Sequence, residues 1–161
     1  TRVRSSAASD VYKRQGHFYG REQELASLSQ VVLSEQKRVI AILGLGGMGK
    51  TALVARFAEQ IREEFMFLFW RSLYNAPPLS RLLSQCLELL AQQTVPDLPA
   101  SEDEQLLLFL SCLREQRCLL IFDNVDALLL DNARAGWREG YNGYGRLIRG
   151  SPKRATRAAC C

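Results

Sequence analysis

Gly44-Leu-Gly-Gly-Met-Gly-Lys-Thr51 decides how the 161-residue chain is read. It fits the pattern G-x-x-x-x-G-K-[ST] in full, a loop whose backbone N–H groups close on phosphate oxygens. Gly44 turns the chain out of whatever precedes it. Gly46, Gly47 and Gly49 let the main chain approach an anion with no Cβ in the way. A helix beginning at Lys50 adds the positive end of its dipole. The Lys50 ammonium is expected to reach the outer phosphates of a nucleotide, and the Thr51 hydroxyl to ligate Mg²⁺. The candidate binding residues here are Gly44, Gly46, Gly47, Met48, Gly49, Lys50 and Thr51.

The flanks suit that reading. Arg38–Leu43 is a short, continuous, β-branched run, the pattern of a strand buried on both faces of a parallel sheet. From Lys50 to Glu63 the apolar positions Leu53, Val54, Phe57, Ala58 and Ile61 form one helical stripe. Outward from there, Leu25, Leu28, Val31 and Val32 recur at helical spacing after Arg21. Phe65–Trp70 reads as a second buried strand, and Leu79–Leu90 as a helix entered through Pro77-Pro78. Thr94–Ala100 is a loop, Ser101 and Glu104 match a capping box opening a helix to about Leu113, and Cys118–Phe122 is a third buried strand. A short helix covers Tyr141–Arg149. Strands alternating with helices predict an α/β domain with a parallel sheet.

The third strand delivers Asp123 to its C-terminal tip, the end at which open α/β sheets bind ligands. A carboxylate there can hold the Mg²⁺ of a nucleotide; Asp123-Asn124 would also suit an ordinary turn. Lys50 and Asp123 are thus the candidates for catalytic roles. The position after Asp123, where many ATPases place a second acid to activate water, is Asn124, which cannot take a proton usefully. Asp126 is the doubtful alternative, equally a solvated carboxylate near a helix start. Nucleotide binding is expected, with hydrolysis slow or absent.

Composition narrows the partners. The chain carries a formal net charge of +4, but residues 1–15 and 151–161 each hold +3, leaving −2 for the body. The basic excess therefore belongs to the ends, and nucleic acid is not expected as a partner. No apolar run approaches the length of a membrane span. The five cysteines include no CxxC pair and the single histidine is His17, which argues against a zinc site or a nucleophile–His pair. Cys86, Cys112 and Cys118 sit among leucines as small apolar side chains, fitting a reduced, cytoplasmic protein.

Five segments in order resemble the NB-ARC and related STAND-class signalling ATPases of the bacterial multidomain type. They are Phe18-Tyr-Gly-Arg-Glu-Gln-Glu24, the Gly44–Thr51 loop, Phe69-Trp-Arg-Ser72, Cys118-Leu-Leu-Ile-Phe-Asp-Asn-Val-Asp126 and Gly140-Tyr-Asn-Gly-Tyr-Gly-Arg-Leu-Ile148. The resemblance implies a P-loop NTPase of three α/β/α layers spanning residues 17–150. It implies that Tyr19, Gly20 and Arg21 border the adenine of a bound ATP or ADP. It also implies a nucleotide switch, closed with ADP and opened by ATP, that self-associates and serves other domains of a longer parent. Two further functions fit the same loop: a kinase-like phosphotransferase, and a scaffold fragment with a vestigial nucleotide site.

Residues 1–16 read as a flexible or artefactual tail and 151–161 as a tail outside the domain, with no apolar strand pattern. The family's sheet continues with a strand between the loop strand and the acidic strand. The sheet is therefore expected to stop short of its later strands and to leave a gap between those two.

Overall fold

The computed structural model describes residues 20–91, 99–130 and 136–150, together with the backbone of residues 4–6 and 156–160. In chain order it contains β1 (Arg4–Ser6), α1 (Glu22–Ser29), β2 (Val39–Ile42), α2 (Lys50–Ile61), β3 (Phe67–Ser72), α3 (Leu79–Ala91), α4 (Glu102–Glu115), β4 (Cys118–Asp123), α5 (Asn142–Gly150) and β5 (Thr156–Cys160). A π-helical stretch, Gln30–Ser34, prolongs α1, and a 3₁₀ turn, Arg62–Glu64, follows α2.

All five strands join one parallel sheet in the order β1-β3-β4-β5-β2. The alternation of side chains along β3 and β4 divides the core in two. Phe67 and Phe69 of β3, with Cys118, Leu120 and Phe122 of β4, enter one core with α3, α4 and α5. Leu68 and Trp70, with Leu119 and Ile121, enter the other with α1 and α2. Phe67–Trp70 of β3 and Cys118–Phe122 of β4 are apolar without interruption because both of their faces are covered. This is the three-layer α/β/α arrangement that the family resemblance implies. Residues such as Leu83, Phe109, Leu113 and Leu119, at 0% exposure, anchor it. Each fully buried side chain of this size contributes about 1.5–3 kcal/mol.

Several expectations are corrected. β2 is not buried on both faces: Ile40 and Ile42 pack toward α1 and α2, but Val39 is 45% exposed. The reason is its place at the sheet edge, since α3, α4 and α5 lie over β3 and β4, and their core includes no residue of β2. The Ile40 and Ile42 side of β2 and the α1 face opposite it line a cleft of about 510 Å³ that includes Leu28, Val31, Ile40 and Leu53. Ser101 sits before α4 in extended backbone, but its side chain makes no cap hydrogen bond, so the predicted capping box is not formed. The neighbouring Glu102 carboxylate accepts instead from the Ser80 N–H at 3.0 Å, tying α4 to the start of α3.

The largest correction concerns the two ends. Thr156–Cys160 forms β5, in register with β4 on one side (Leu119↔Thr156 to Asp123↔Cys160) and with β2 on the other (Val39↔Arg157 to Ile42↔Cys160). The gap expected between the loop strand and the acidic strand is therefore closed. Thr-Arg-Ala-Ala-Cys lacks the apolar pattern of a buried strand. What recruits it is the pair of facing backbone edges, which bond to main chain whatever the side chains. Arg4–Ser6, expected in a flexible tail, pairs in parallel with Phe67–Phe69. The rest of both tails, and most of the predicted loop at 94–100, lies outside the described residues. Among the described residues no helix is long and apolar enough to cross a membrane.

The cysteines behave as sequence suggests. Cys86 and Cys118 are buried free thiols, and burial pushes each up to about 12 from 9.0. An unfolded chain ionises these thiols near pH 9 whereas the folded chain holds them neutral. Their contribution is thus complete below pH 9 and is lost as pH rises toward 12. Urea unfolding followed across that range should show stability falling by up to about 1.4 kcal/mol per pH unit for each thiol. A Cys86→Ala/Cys118→Ala double variant should show a flatter decline, and an equal slope in both proteins would contradict the assignment.

Candidate functional site

The loop begins where β2 ends and finishes at the first turn of α2. Two of its glycines are required by backbone conformation: Gly47 at φ 79° and Gly49 at φ 74° lie in the left-handed region that L side chains avoid. Gly46 has open space where a Cβ would stand, and at Gly44 a Cβ would make only ordinary contact with Met48 and Lys50. Leu45 and Met48 alternate with the glycines and point outward, 79% and 53% exposed.

Lys50 folds back over the loop. Its ammonium donates to the Gly44 carbonyl at 2.7 Å and to the Leu45 carbonyl at 3.0 Å. The cation is thereby held at the rim of the glycine turn, on a helix whose first N–H groups have no helical acceptor. Both features draw negative charge to the same place.

Thr51, one residue further, reaches across the sheet. Its hydroxyl lies 3.2 and 3.1 Å from the two carboxylate oxygens of Asp123, to which it donates. Asp123 ends β4 and is 9% exposed, and its main-chain carbonyl accepts from Leu73 N–H at 2.8 Å, fixing the strand tip. A hydroxyl and a carboxylate side by side form a pair of hard oxygen donors, the kind Mg²⁺ takes. Loop, lysine, threonine and aspartate thus lie together at one end of the sheet.

Other candidates are placed differently. Asn124 adopts φ 59°, a left-handed conformation tolerated by asparagine, and turns the chain into the 3₁₀ segment Val125–Leu128. Asp126 lies on that turn with an exposed side chain, and among the described residues no hydrogen bond joins it to Lys50, Thr51 or Asp123. Arg21 is directed to the loop itself: its guanidinium donates to the Met48 carbonyl at 2.9 Å and to Glu24 at 3.1 Å. Gly20 precedes it at φ 80°, and Tyr19 lies outside the described residues.

One cluster escaped sequence reasoning. Trp137 stacks on Tyr144 with ring centroids 6.4 Å apart, and Tyr144 meets Phe122 of β4 edge-on at 6.3 Å. The Tyr141 and Tyr144 hydroxyls donate to the carbonyls of Ala76 and Pro77, at 2.7 and 3.0 Å. Arg138 donates to the Ala127 and Leu128 carbonyls of the turn that follows Asp123. α5 and the residues just before it, Trp137, Arg138 and Tyr141, therefore clamp the segments after β3 and β4. Gly143 and Gly145 are part of the fit, since a Cβ at Gly145 would stand 2.5 Å from the Trp137 indole nitrogen. The repeated glycine and tyrosine spacing of residues 140–145 was the available signal.

Comparison with known proteins agrees with this geometry. An AAA ATPase domain family matches residues 17–137. An uncharacterized WD repeat-containing protein of Nostoc sp. (strain PCC 7120) is 36% identical over 140 residues, which is 81% of this chain but only 11% of that protein. Among solved structures, Cdc6p from Pyrobaculum aerophilum superposes with a TM-score of 0.63 at 19% identity, covering 91% of this chain and 40% of its own. The ORC2 protein of Aeropyrum pernix, solved as ADPNP and ADP complexes, gives 0.51 at 17% identity, covering 91% and 42%. At those identities the two structures speak for the fold alone. The matched family, together with the parallel sheet, the glycine loop and the acidic strand tip, places the chain in the AAA ATPase domain family of P-loop NTPases.

Proposed function

We propose that this chain is the nucleotide-binding core of a STAND-type signalling switch, taking ATP or ADP with Mg²⁺ and hydrolysing ATP slowly or not at all. The observation that carries the proposal is the Thr51–Asp123 pair beside the Lys50-containing loop. It sets a cation, a ring of main-chain donors and two hard oxygen donors within one strand-end cluster.

In this reading the domain spans residues 17–150 and works in the cytoplasm. The backbone of Gly44, Gly46, Gly47, Met48 and Gly49 cradles the phosphates, and Lys50 meets their outer oxygens. Thr51 and Asp123 hold the Mg²⁺, which when bound neutralises phosphate charge. The exposed Asp126 and the amide of Asn124 offer no preorganised base next to Asp123, which supports retention of nucleotide over rapid turnover. The five matched segments support the STAND assignment, and the WD-repeat relative supports a longer parent whose other domains and copies are its partners.

Isothermal titration with ADP tests this directly. Lys50→Ala should weaken ADP binding by about 10- to 100-fold, the loss expected for charge-assisted hydrogen bonds. Equal affinity in both proteins would contradict the proposal. Asp123→Asn and Thr51→Val should each remove most of the gain in ADP affinity on adding Mg²⁺ while leaving metal-free binding within a few-fold. Unchanged Mg²⁺ dependence in both variants would remove those residues from the metal site.

A further inference from the structure

Arg21 makes contacts that the nucleotide-binding proposal does not use. Two consecutive residues, Gly20 at φ 80° and Arg21 at φ 66°, turn the chain through the left-handed region just before α1. For arginine that conformation is strained, and it persists only where surrounding contacts hold it. The contacts are present on both sides of the guanidinium: Nη1 donates to the Met48 carbonyl at 2.9 Å, and Nε to Glu24 at 3.1 Å. The approach is close enough that a Cβ on Gly49 would stand 3.7 Å from Nη1.

We infer that Arg21 is a positioning residue that sets the shape of the phosphate-binding loop through the Met48 carbonyl, acting on the loop and not on the base of the nucleotide. The peptide from Met48 to Gly49 is trans, so its C=O and N–H point in opposite directions. Fixing the carbonyl fixes the Gly49 N–H with it. Gly49 is also the left-handed residue that starts α2, so the same contact sets the entry of the helix that carries Lys50 and Thr51. Glu24 lies one helical turn after Arg21 and orients the guanidinium from the other side. Its side chain is 49% exposed, so the ion pair itself adds little, and the loop contact carries the effect. The contact joins residues 27 positions apart and is the described side-chain link from the segment before α1 to the loop.

The consequence for binding rests on the proposed nucleotide site, whereas the consequence for the loop does not, and two measurements separate them. The first is amide hydrogen exchange on the full chain without nucleotide. Arg21→Ala should speed exchange at Met48 and Leu53, whose N–H groups donate to the Leu45 and Gly49 carbonyls, by about tenfold, the scale of one hydrogen bond from a charged donor. Exchange at Leu119–Ile121 in β4 should stay unchanged, which a general loss of stability would not allow. Arg21→Lys should recover part of the loop protection, and Glu24→Gln should change it less than Arg21→Ala does. The second is titration with ADP and with inorganic pyrophosphate, each with Mg²⁺. Arg21→Ala should weaken both by the same factor, about tenfold. Weaker ADP binding with pyrophosphate unaffected would show a base or ribose contact and overturn the inference, as would unchanged loop exchange. If the unaltered chain binds neither ligand, the nucleotide proposal fails and the exchange result alone decides whether Arg21 sets the loop.

Discussion

The Thr51–Asp123 hydrogen bond joins residues 72 positions apart, and the fold is arranged so that it can form. Thr51 stands in the first turn of α2, whose position is set by β2 and the glycine turn. Asp123 stands at the tip of β4, two strands away in the sheet. Bringing them together requires the strands to run in parallel, so that the turn after β2 and the end of β4 lie at the same edge of the layer. It also requires a strand between β2 and β4, because backbone groups buried in that gap would otherwise be unpaired. Parallel strands need crossovers, and the crossovers here are the helices that bury both faces of β3 and β4.

From that constraint the layers follow. Each residue of Phe67–Trp70 and Cys118–Phe122 faces one of two cores, so a run such as Cys-Leu-Leu-Ile-Phe has no polar position until it reaches Asp123 at the tip. The aromatic clamp of Trp137, Tyr141 and Tyr144 works on the same edge. It holds the segments that leave β3 and β4, while Leu73 bonds the carbonyl of Asp123 from the side. The placement of Asp123 depends on such supports, because the strand tip itself has no further strand to brace it.

Much of this was legible in the residues. The loop pattern, the one-sided stripe of α2, and the continuous apolar runs of β3 and β4 each encode their own local environment. So does Asp123, a single acid ending a buried strand. Three features were not legible. β5 is specified by the two backbone edges that flank it and not by its own Thr-Arg-Ala-Ala-Cys sequence. The exposure of Val39 depends on which strand falls at the sheet edge, a property of topology that a β-branched run does not carry. The contact of Arg21 depends on a left-handed turn at a residue type that rarely adopts one, so neither propensity nor spacing announces it.

The central claim is that Thr51 and Asp123 together form the metal side of a nucleotide site. Mn²⁺ can stand in for Mg²⁺ and broadens nearby NMR signals through its unpaired electrons. Titrating the chain with Mn²⁺ in the presence of ADP should broaden the amides of Lys50, Thr51, Asp123 and Asn124 first, before those of α3 and α4. Broadening that begins elsewhere, or the same pattern in Asp123→Asn as in the unaltered chain, would contradict it.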